Sequence, residues 1–327
     1  MNKKLKKIFG RILLAIVLII GSLVAYVKFA LPDVGAAPVI NIDKTAERVE
    51  RGKYLANHVT VCMDCHSTRD WTKFSGPLVP GSEGKGGELF DQKFGFPGAF
   101  TSKNITPEGI GNYTDGELFR VITTGVNKDG KALFPVMPYH NYGRMDAEDI
   151  NSIIAYIRSL QPIKNTVAAS KADFPMSILI NTIPQKASLT KKPDASNKVA
   201  YGRYLVNAAA CMDCHTPFEK GKLVAGKDFS GGREFPFPDG SIVRSSNLTP
   251  HENGIGLWSE DMFVNTFHAK ADSLTQSVLL KPGDFNTIMP WTMYAKMTEQ
   301  DLRAIYAFLK TVKPLDNAVE KFTKAKK

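Results

Sequence analysis

Two kinds of apolar pattern run along this chain. Residues 12–27, ILLAIVLIIGSLVAYV, contain no charged side chain, and with Ile8, Phe9 and residues 29–31 the run reaches the roughly 20 residues a membrane span needs. Arg11 and Lys28 flank it, where long side chains reach the two interfaces. Beyond it, apolar residues recur three and four apart: Ile150, Ile153, Ile154 and Ile157 in one segment, Leu302, Ile305, Tyr306 and Leu309 in another. Both segments start at a capping residue, Asp146 or Thr298, with Asp149 or Asp301 at the capping-box position, and both stop before Pro162 or Pro314. A middle helix is expected from Thr114, with Glu117 completing its box, and another from Ser259. Between them lie stretches such as SGPLVPGSEGKGG, and no apolar alternation is long enough to suggest a sheet. The expected fold class is all-α with long loops.

These segments repeat. RGKYLANHVTVCMDCHST (51–68) parallels YGRYLVNAAACMDCHTP (201–217), and NITPEGIGNYTDGELF (104–119) parallels NLTPHENGIGLWSEDMF (247–263). FPVMPYHNYGRMDAEDI (134–150) answers NTIMPWTMYAKMTEQDL (286–302), and AYIRSLQPI (155–163) answers AFLKTVKPL (307–315). Four blocks in constant order point to an internal duplication. The expected organisation is a cytoplasmic tail at 1–7, a transmembrane anchor at 8–31, one domain at 44–163, a linker at 164–198, a second domain at 199–315 and a basic tail at 316–327. Within the linker an apolar island, 174–183, is expected to pack between the domains.

Charge narrows the partners. The net charge of +10 over 327 residues is not carried by the domains: 44–163 holds 14 basic and 14 acidic residues, and 199–315 holds 12 of each. The excess sits in the N-terminus, the linker and the C-terminal KFTKAKK, which reads as a solubilising tail, so no nucleic-acid surface is expected. Lysines before the apolar run keep the N-terminus cytoplasmic and place the domains outside. For a bacterial chain that is the inner membrane, with the domains in the periplasm. The competing reading is a signal peptide cleaved after Ala36.

The chemistry lies in CMDCH. It occurs at residues 62–66 and 211–215 and uses all four cysteines. On a helical turn Cys62, Cys65 and His66 share a face, as do Cys211, Cys214 and His215. Cys-x-x-C-His in this arrangement reads as attachment of c-type haem, with two thioethers to the vinyl groups and an imidazole for the iron. A zinc site built from both cysteine pairs, or a dithiol redox pair, are the alternatives. Two haem c groups are expected, with His66 and His215 as metal ligands. For the sixth position the candidates are Met137 and Met289, each followed by proline and each at the same place in its repeat. Met145 and Met297 also correspond but abut helix caps and read as core. His140 stands three residues from Met137, whereas Thr292 stands at the matching place. His58, His251 and His268 have no counterpart.

With these motifs the chain resembles dihaem cytochromes c, in particular the membrane-anchored cytochrome c subunits of periplasmic alcohol, gluconate and related dehydrogenases. The resemblance covers nearly all of residues 44–315 and implies two tandem cytochrome c domains. It departs from that group in haem number, because such subunits often carry three. It also implies that Gly52 and Gly202 let each first helix cross closely over Tyr156 and Tyr306. The expected role is electron transfer rather than catalysis: from a periplasmic or membrane dehydrogenase to an oxidase or soluble cytochrome. The alternative is a dihaem enzyme, a peroxidase or an oxidoreductase of small inorganic substrates, with one labile haem ligand.

Overall fold

A computed structural model describes residues 3–271, 277–281 and 283–325. The first two residues of the expected cytoplasmic tail and the last two of the basic tail lie outside the described residues. In chain order the helices are α1 (Lys3–Phe29), α2 (Ala46–Tyr54), α3 (Cys62–Cys65), α4 (Pro107–Ile110), α5 (Asp115–Thr124), α6 (Tyr139–Tyr142), α7 (Ala147–Ser159) and α8 (Met176–Leu179). There follow α9 (Lys198–Ala208), α10 (Cys211–His215), α11 (Glu260–His268), α12 (Trp291–Tyr294) and α13 (Glu299–Leu309).

Among the described residues α1 is the one helix long and apolar enough to cross a membrane, and its 27 residues extend about 40 Å at the usual rise. The extended chain after it docks on the first half, where the Ile42 N–H donates to Asp115 Oδ2 at 2.9 Å.

The rest is built around two helix pairs, α2 with α7 and α9 with α13. Each pair crosses at a glycine. A Cβ on Gly52 would lie 1.8 Å from the Ser152 carbonyl oxygen, and one on Gly202 would lie 1.9 Å from that of Ala304. The first crossing includes Tyr156 as expected, but the second runs over Ala304 and Ile305 rather than Tyr306, whose hydroxyl donates to the Trp258 carbonyl at 2.6 Å. In register with Tyr156 stands Phe308, which is buried while Tyr306 is only half-buried. Ile150, Ile153, Ile154 and Ile157 are buried, and so are Leu302, Ile305 and Leu309.

The first half has one residue more than the second between its glycine and its CMDCH motif, 53–61 against 203–210. The surplus is absorbed as a turn of π-helix, Leu55–Val59, whereas α9 runs as regular α-helix to Ala208.

Thr114 caps α5 with a complete capping box, and Ser259 accepts the Met262 N–H at the start of α11. Asp146 and Thr298 cap α7 and α13, but Asp149 and Asp301 do not complete boxes. Their carboxylates face across the molecule. Asp149 takes Arg51 through two bonds of 2.9 Å and the Tyr204 hydroxyl at 2.7 Å, while Asp301 takes Tyr201 at 3.0 Å and Tyr54 at 2.6 Å. Each aspartate is thus held by one residue of its own half and a tyrosine of the other. The same tyrosine hydroxyls accept the N–H groups of Asp146 and Thr298, so each closes the other half's helix start.

The expectation of an all-helical chain needs correction, for small antiparallel sheets are present. β1 (Leu89–Phe90), β2 (Gly98–Thr101) and β3 (Lys171–Ala172) form one, β4 (Phe218–Glu219) and β5 (Lys222–Leu223) a hairpin, and β6 (Glu234–Pro236), β7 (Ile242–Arg244) and β8 (Phe322–Thr323) another. The strands have two to four residues, too few for alternation to register. β3 comes from the segment read as linker and β8 from the segment read as tail: Gly98 pairs with Ala172, and Ile242 with Thr323. The island at 174–183 is also not between the halves. Helix α8 packs on the end of α1, where Asn181 Nδ2 donates to the Val27 carbonyl at 3.2 Å, and Phe174 remains 81% exposed.

Candidate functional site

Both CMDCH motifs begin on an unusual backbone. Val61 (φ +44°) and Ala210 (φ +50°) occupy the left-handed region immediately before the first cysteine. For a β-branched valine that conformation is strained, and its recurrence at equivalent positions marks a turn the motif requires. The turn swings the chain out of the long first helix into a new short one, α3 or α10. It is fastened from the short helices α6 and α12: the Tyr142 hydroxyl donates to the Thr60 carbonyl at 2.8 Å, and Tyr294 does the same to Ala209 at 2.8 Å.

All four cysteines are free thiols and half-buried. Burial pushes the Cys211 thiol up to about 12 and Cys214 to about 11, and moves Cys62 and Cys65 the same way, which keeps them neutral. Among the described residues the two cysteine pairs do not converge on a shared metal cluster.

The histidines show the clearest repetition. His66 Nδ1 lies 2.7 Å from the Lys103 carbonyl oxygen, and His215 Nδ1 lies 2.7 Å from that of Ser246. A carbonyl can only accept, so in both rings Nδ1 carries the proton and Nε2 is left bare as an electron-pair donor. Burial lowers both imidazole pKa values, so the neutral form that ligates a metal is the stable one. The anchoring carbonyls belong to the residues before Asn104 and Asn247. Asn104 Nδ2 donates to the Ile163 carbonyl at 2.7 Å, and Asn247 Nδ2 donates to the Leu315 carbonyl at 2.9 Å. Each Asn Oδ1 accepts from the backbone and hydroxyl of the threonine two residues on. The Asn-x-Thr-Pro blocks are therefore knots that fix the carbonyl-bearing loop to the segment after the last helix of its half. Lys103 and Ser246 escaped the sequence reading because they act through backbone; their signal is the position before the repeated Asn.

Met137 and Met289 are half-buried and pack against the core, each in the same turn. The Met137 carbonyl accepts from the Tyr139 N–H at 2.8 Å, and the Met289 carbonyl from the Trp291 N–H at 2.7 Å, across Pro138 (φ −78°, ψ 55°) and Pro290 (φ −78°, ψ 63°). Met145 and Met297 are buried core residues. His140 turns away to the second half and lies 3.0 Å from Asp213 Oδ2. His58 and His268 contact the carbonyls of Met293 and Met297, and His251 stands by Asp316.

The motif aspartates differ. Asp64 is paired with Arg69 Nη1 at 2.9 Å, both side chains being buried, and burial pushes its carboxyl up to about 6 even so. Asp213 instead accepts from His140 and from Asn141 Nδ2, at 2.7 Å, on the other half.

A pair of thiols on one turn, a neighbouring imidazole with Nε2 bare and a fixed Nδ1 proton, and no disulfide form a donor set that fits covalent haem. The sequence model of the cytochrome c family matches residues 199–313. Those residues carry a cytochrome c domain. The chain is similar to the cytochrome c subunit of a quinone alcohol dehydrogenase from Gluconacetobacter polyoxogenes, 28% identical over 88% of this chain and 61% of the relative. It is similar to the fructose dehydrogenase cytochrome subunit of Gluconobacter japonicus, 31% identical over 73% of this chain and 50% of the relative. A diheme c-type cytochrome of Cereibacter sphaeroides is 23% identical over 78% of this chain and 83% of its own length. The chain spans about three fifths of the length of the alcohol dehydrogenase subunits it matches. The match to the cytochrome c family thus falls in the second half, and the similar proteins include cytochrome c subunits of alcohol, fructose and gluconate dehydrogenases.

Proposed function

We propose that this chain is a membrane-anchored dihaem electron carrier with two tandem cytochrome c domains. The observation that carries the reading is the doubled imidazole anchor, His66 to the Lys103 carbonyl and His215 to that of Ser246, each beside a pair of free thiols. Cys62 and Cys65 would hold one haem by thioethers and Cys211 and Cys214 the other, with His66 and His215 as axial ligands and Met137 and Met289 as their sixth-position partners. The domains run over 44–163 and 199–315, joined through 164–198.

Haem with imidazole and thioether ligands takes up and releases single electrons at a raised potential and offers no vacant position to oxygen or peroxide. The protein's part is to fix geometry. The carbonyl anchors hold each imidazole proton at Nδ1, the Asn knots hold the carbonyls, and the buried helix crossings at Gly52 and Gly202 hold motif and Met-Pro loop to one frame. Helix α1 would anchor the molecule in the inner membrane with both domains on the periplasmic side, and the exposed Phe174 beside its end suits the lipid boundary. By analogy with the relatives the donor would be a dehydrogenase, and we propose an oxidase or soluble cytochrome as the acceptor. A tether keeps the carrier at high effective concentration near both.

Haem stoichiometry tests the reading. Produced with a c-type maturation system, the intact protein should gain the mass of two haems that survive acid-acetone extraction. A single haem, or none, would remove the dihaem assignment.

A further inference from the structure

The two Met-Pro loops are not held alike, although their sequences and backbones correspond. Among the described residues the Met137 carbonyl accepts only from the Tyr139 N–H, within its own turn. The Met289 loop has a visitor from the other half. Ser75 is fully buried, and its hydroxyl donates to the Met289 carbonyl at 2.6 Å and accepts the Trp291 N–H at 3.1 Å. Its own N–H donates to Asn286 Oδ1 at 2.9 Å. On either side the backbones pair as well, Phe74 N–H to the Val278 carbonyl at 3.3 Å and Leu280 N–H to the Thr72 carbonyl at 2.9 Å.

The loop that delivers Ser75 is fastened to the first CMDCH motif. Arg69 bonds Asp64 of that motif, and its guanidinium also donates to the Ser75 and Gly76 carbonyls at 3.0 Å each while stacking 3.9 Å from the Trp71 ring. Ser75 stands at φ +62°, a conformation a serine adopts at a cost unless something compensates. The compensation visible here is the clasp on Met289. A continuous set of contacts therefore runs from Asp64 through Arg69 and Ser75 to the backbone of Met289. Among the described residues the second half has no loop of this form: after its motif comes the β4–β5 hairpin, and its contacts with the first ligand loop, Asp213 to His140 and Asn141 and Asn207 Nδ2 to the Asn141 carbonyl at 2.9 Å, fall past Met137 itself.

We propose that Ser75 is a positioning residue for the sixth ligand of the second haem, so that the first half sets how firmly Met289 is seated while Met137 depends on its own half. This rests on the reading of Met289 as that ligand. A thioether is a weak neutral ligand, and a loop displaced by even a small distance loses it. The hydroxyl of Ser75 fixes both ends of the Met-Pro-Trp turn, which is where such a displacement would begin.

The test uses the full-length holoprotein with both haems reduced and carbon monoxide as probe. Ser75→Ala should raise carbon monoxide binding at one haem about tenfold and weaken the far-red sulfur-to-iron band of that haem in the oxidised protein, leaving the other haem as it was. Asn286→Ala removes the opposite side of the same clasp and should do likewise; combined, the two should give less than the product of their separate effects. Tyr204→Phe loosens the contact between halves without touching either Met loop and should change neither signal. Met289→Ala, run in parallel, should open one haem fully. If it does and both clasp variants bind carbon monoxide like the unmodified protein, Ser75 has no positioning role. Equal opening by Tyr204→Phe would also overturn the proposal, since the effect would then be general loosening. If Met289→Ala opens neither haem, the ligand reading fails and the Ser75 proposal falls with it.

Discussion

Replacing Gly52 by alanine sets two effects of opposite sign against each other. In an exposed helix the change stabilises by about 1 kcal/mol, because alanine loses less backbone entropy on folding. Here the added methyl would sit 1.8 Å from the Ser152 carbonyl oxygen, 2.4 Å from its carbon and 2.9 Å from Tyr156 Cβ. An ordinary contact needs more than 3 Å, so α2 and α7 would have to part by over an ångström, and the obstacle is backbone that cannot rotate aside. Overpacking of this kind costs about 1–3 kcal/mol where side chains can yield, and more where they cannot. The clash should win by about 2 kcal/mol or more. Gly202→Ala should behave alike, its methyl lying 1.9 Å from the Ala304 carbonyl oxygen. Denaturant unfolding of the holoprotein, followed by far-ultraviolet circular dichroism, measures the change. A stabilised or unchanged Gly52→Ala protein would refute the close-crossing argument.

The reciprocal clasp between halves predicts that Tyr54→Phe and Tyr204→Phe each destabilise by about 1.5–3 kcal/mol, since each hydroxyl serves a carboxylate and a helix-start N–H; losses under 0.5 kcal/mol by denaturant unfolding would count against it. Acid should weaken the same clasp. Burial alone would raise the Asp149 pKa, but the hydrogen bonds and charge of Arg51, with Tyr204 and Lys192, outweigh it and leave it below the ordinary aspartate value. Its contribution is therefore full above an unfolded value near 3.9 and lost as pH falls from there through the folded value; unfolding midpoints of Asp149→Asn that track the unmodified protein across that range would contradict the assignment. For the membrane reading, an alkaline phosphatase fused after Lys327 should be active in the periplasm, whereas a shortened, soluble mature protein would show cleavage instead.

What could be read from sequence was what repeats or is local. The CMDCH motifs and the Thr114 capping box each fall within a few residues, and the structure places each motif on a short helix and the box at the start of α5 as expected. The apolar faces of α7 and α13 were legible for the same reason, apart from Phe308, which is buried where Tyr306 was expected to be. Asp149 and Asp301 look like capping-box residues at three-residue spacing. Their actual partners, Tyr204 and Tyr54, lie 55 and 247 residues away, beyond any local pattern. The sheets were missed because strands of two to four residues carry no periodicity, and β3 and β8 come from segments whose composition suggested linker and tail. Hydrophobicity alone assigns the island at 174–183 to the space between domains, because nothing local marks its partner, the end of α1. Ser75 gave no signal at all, being one serine in a polar loop whose partner stands 214 residues later.

The central claim is that each half holds its own haem between a histidine and a methionine, and the far-red sulfur-to-iron band of the oxidised protein tests it most directly. The unmodified protein should show intensity for two centres, and its reduced form should bind little carbon monoxide. Met137→Ala should remove about half of that band and admit carbon monoxide at one haem, with Met289→Ala taking the other half. An unmodified protein that already binds carbon monoxide at one haem and turns over peroxide would contradict the carrier account. A band unchanged by either substitution would show that the methionine assignments are wrong.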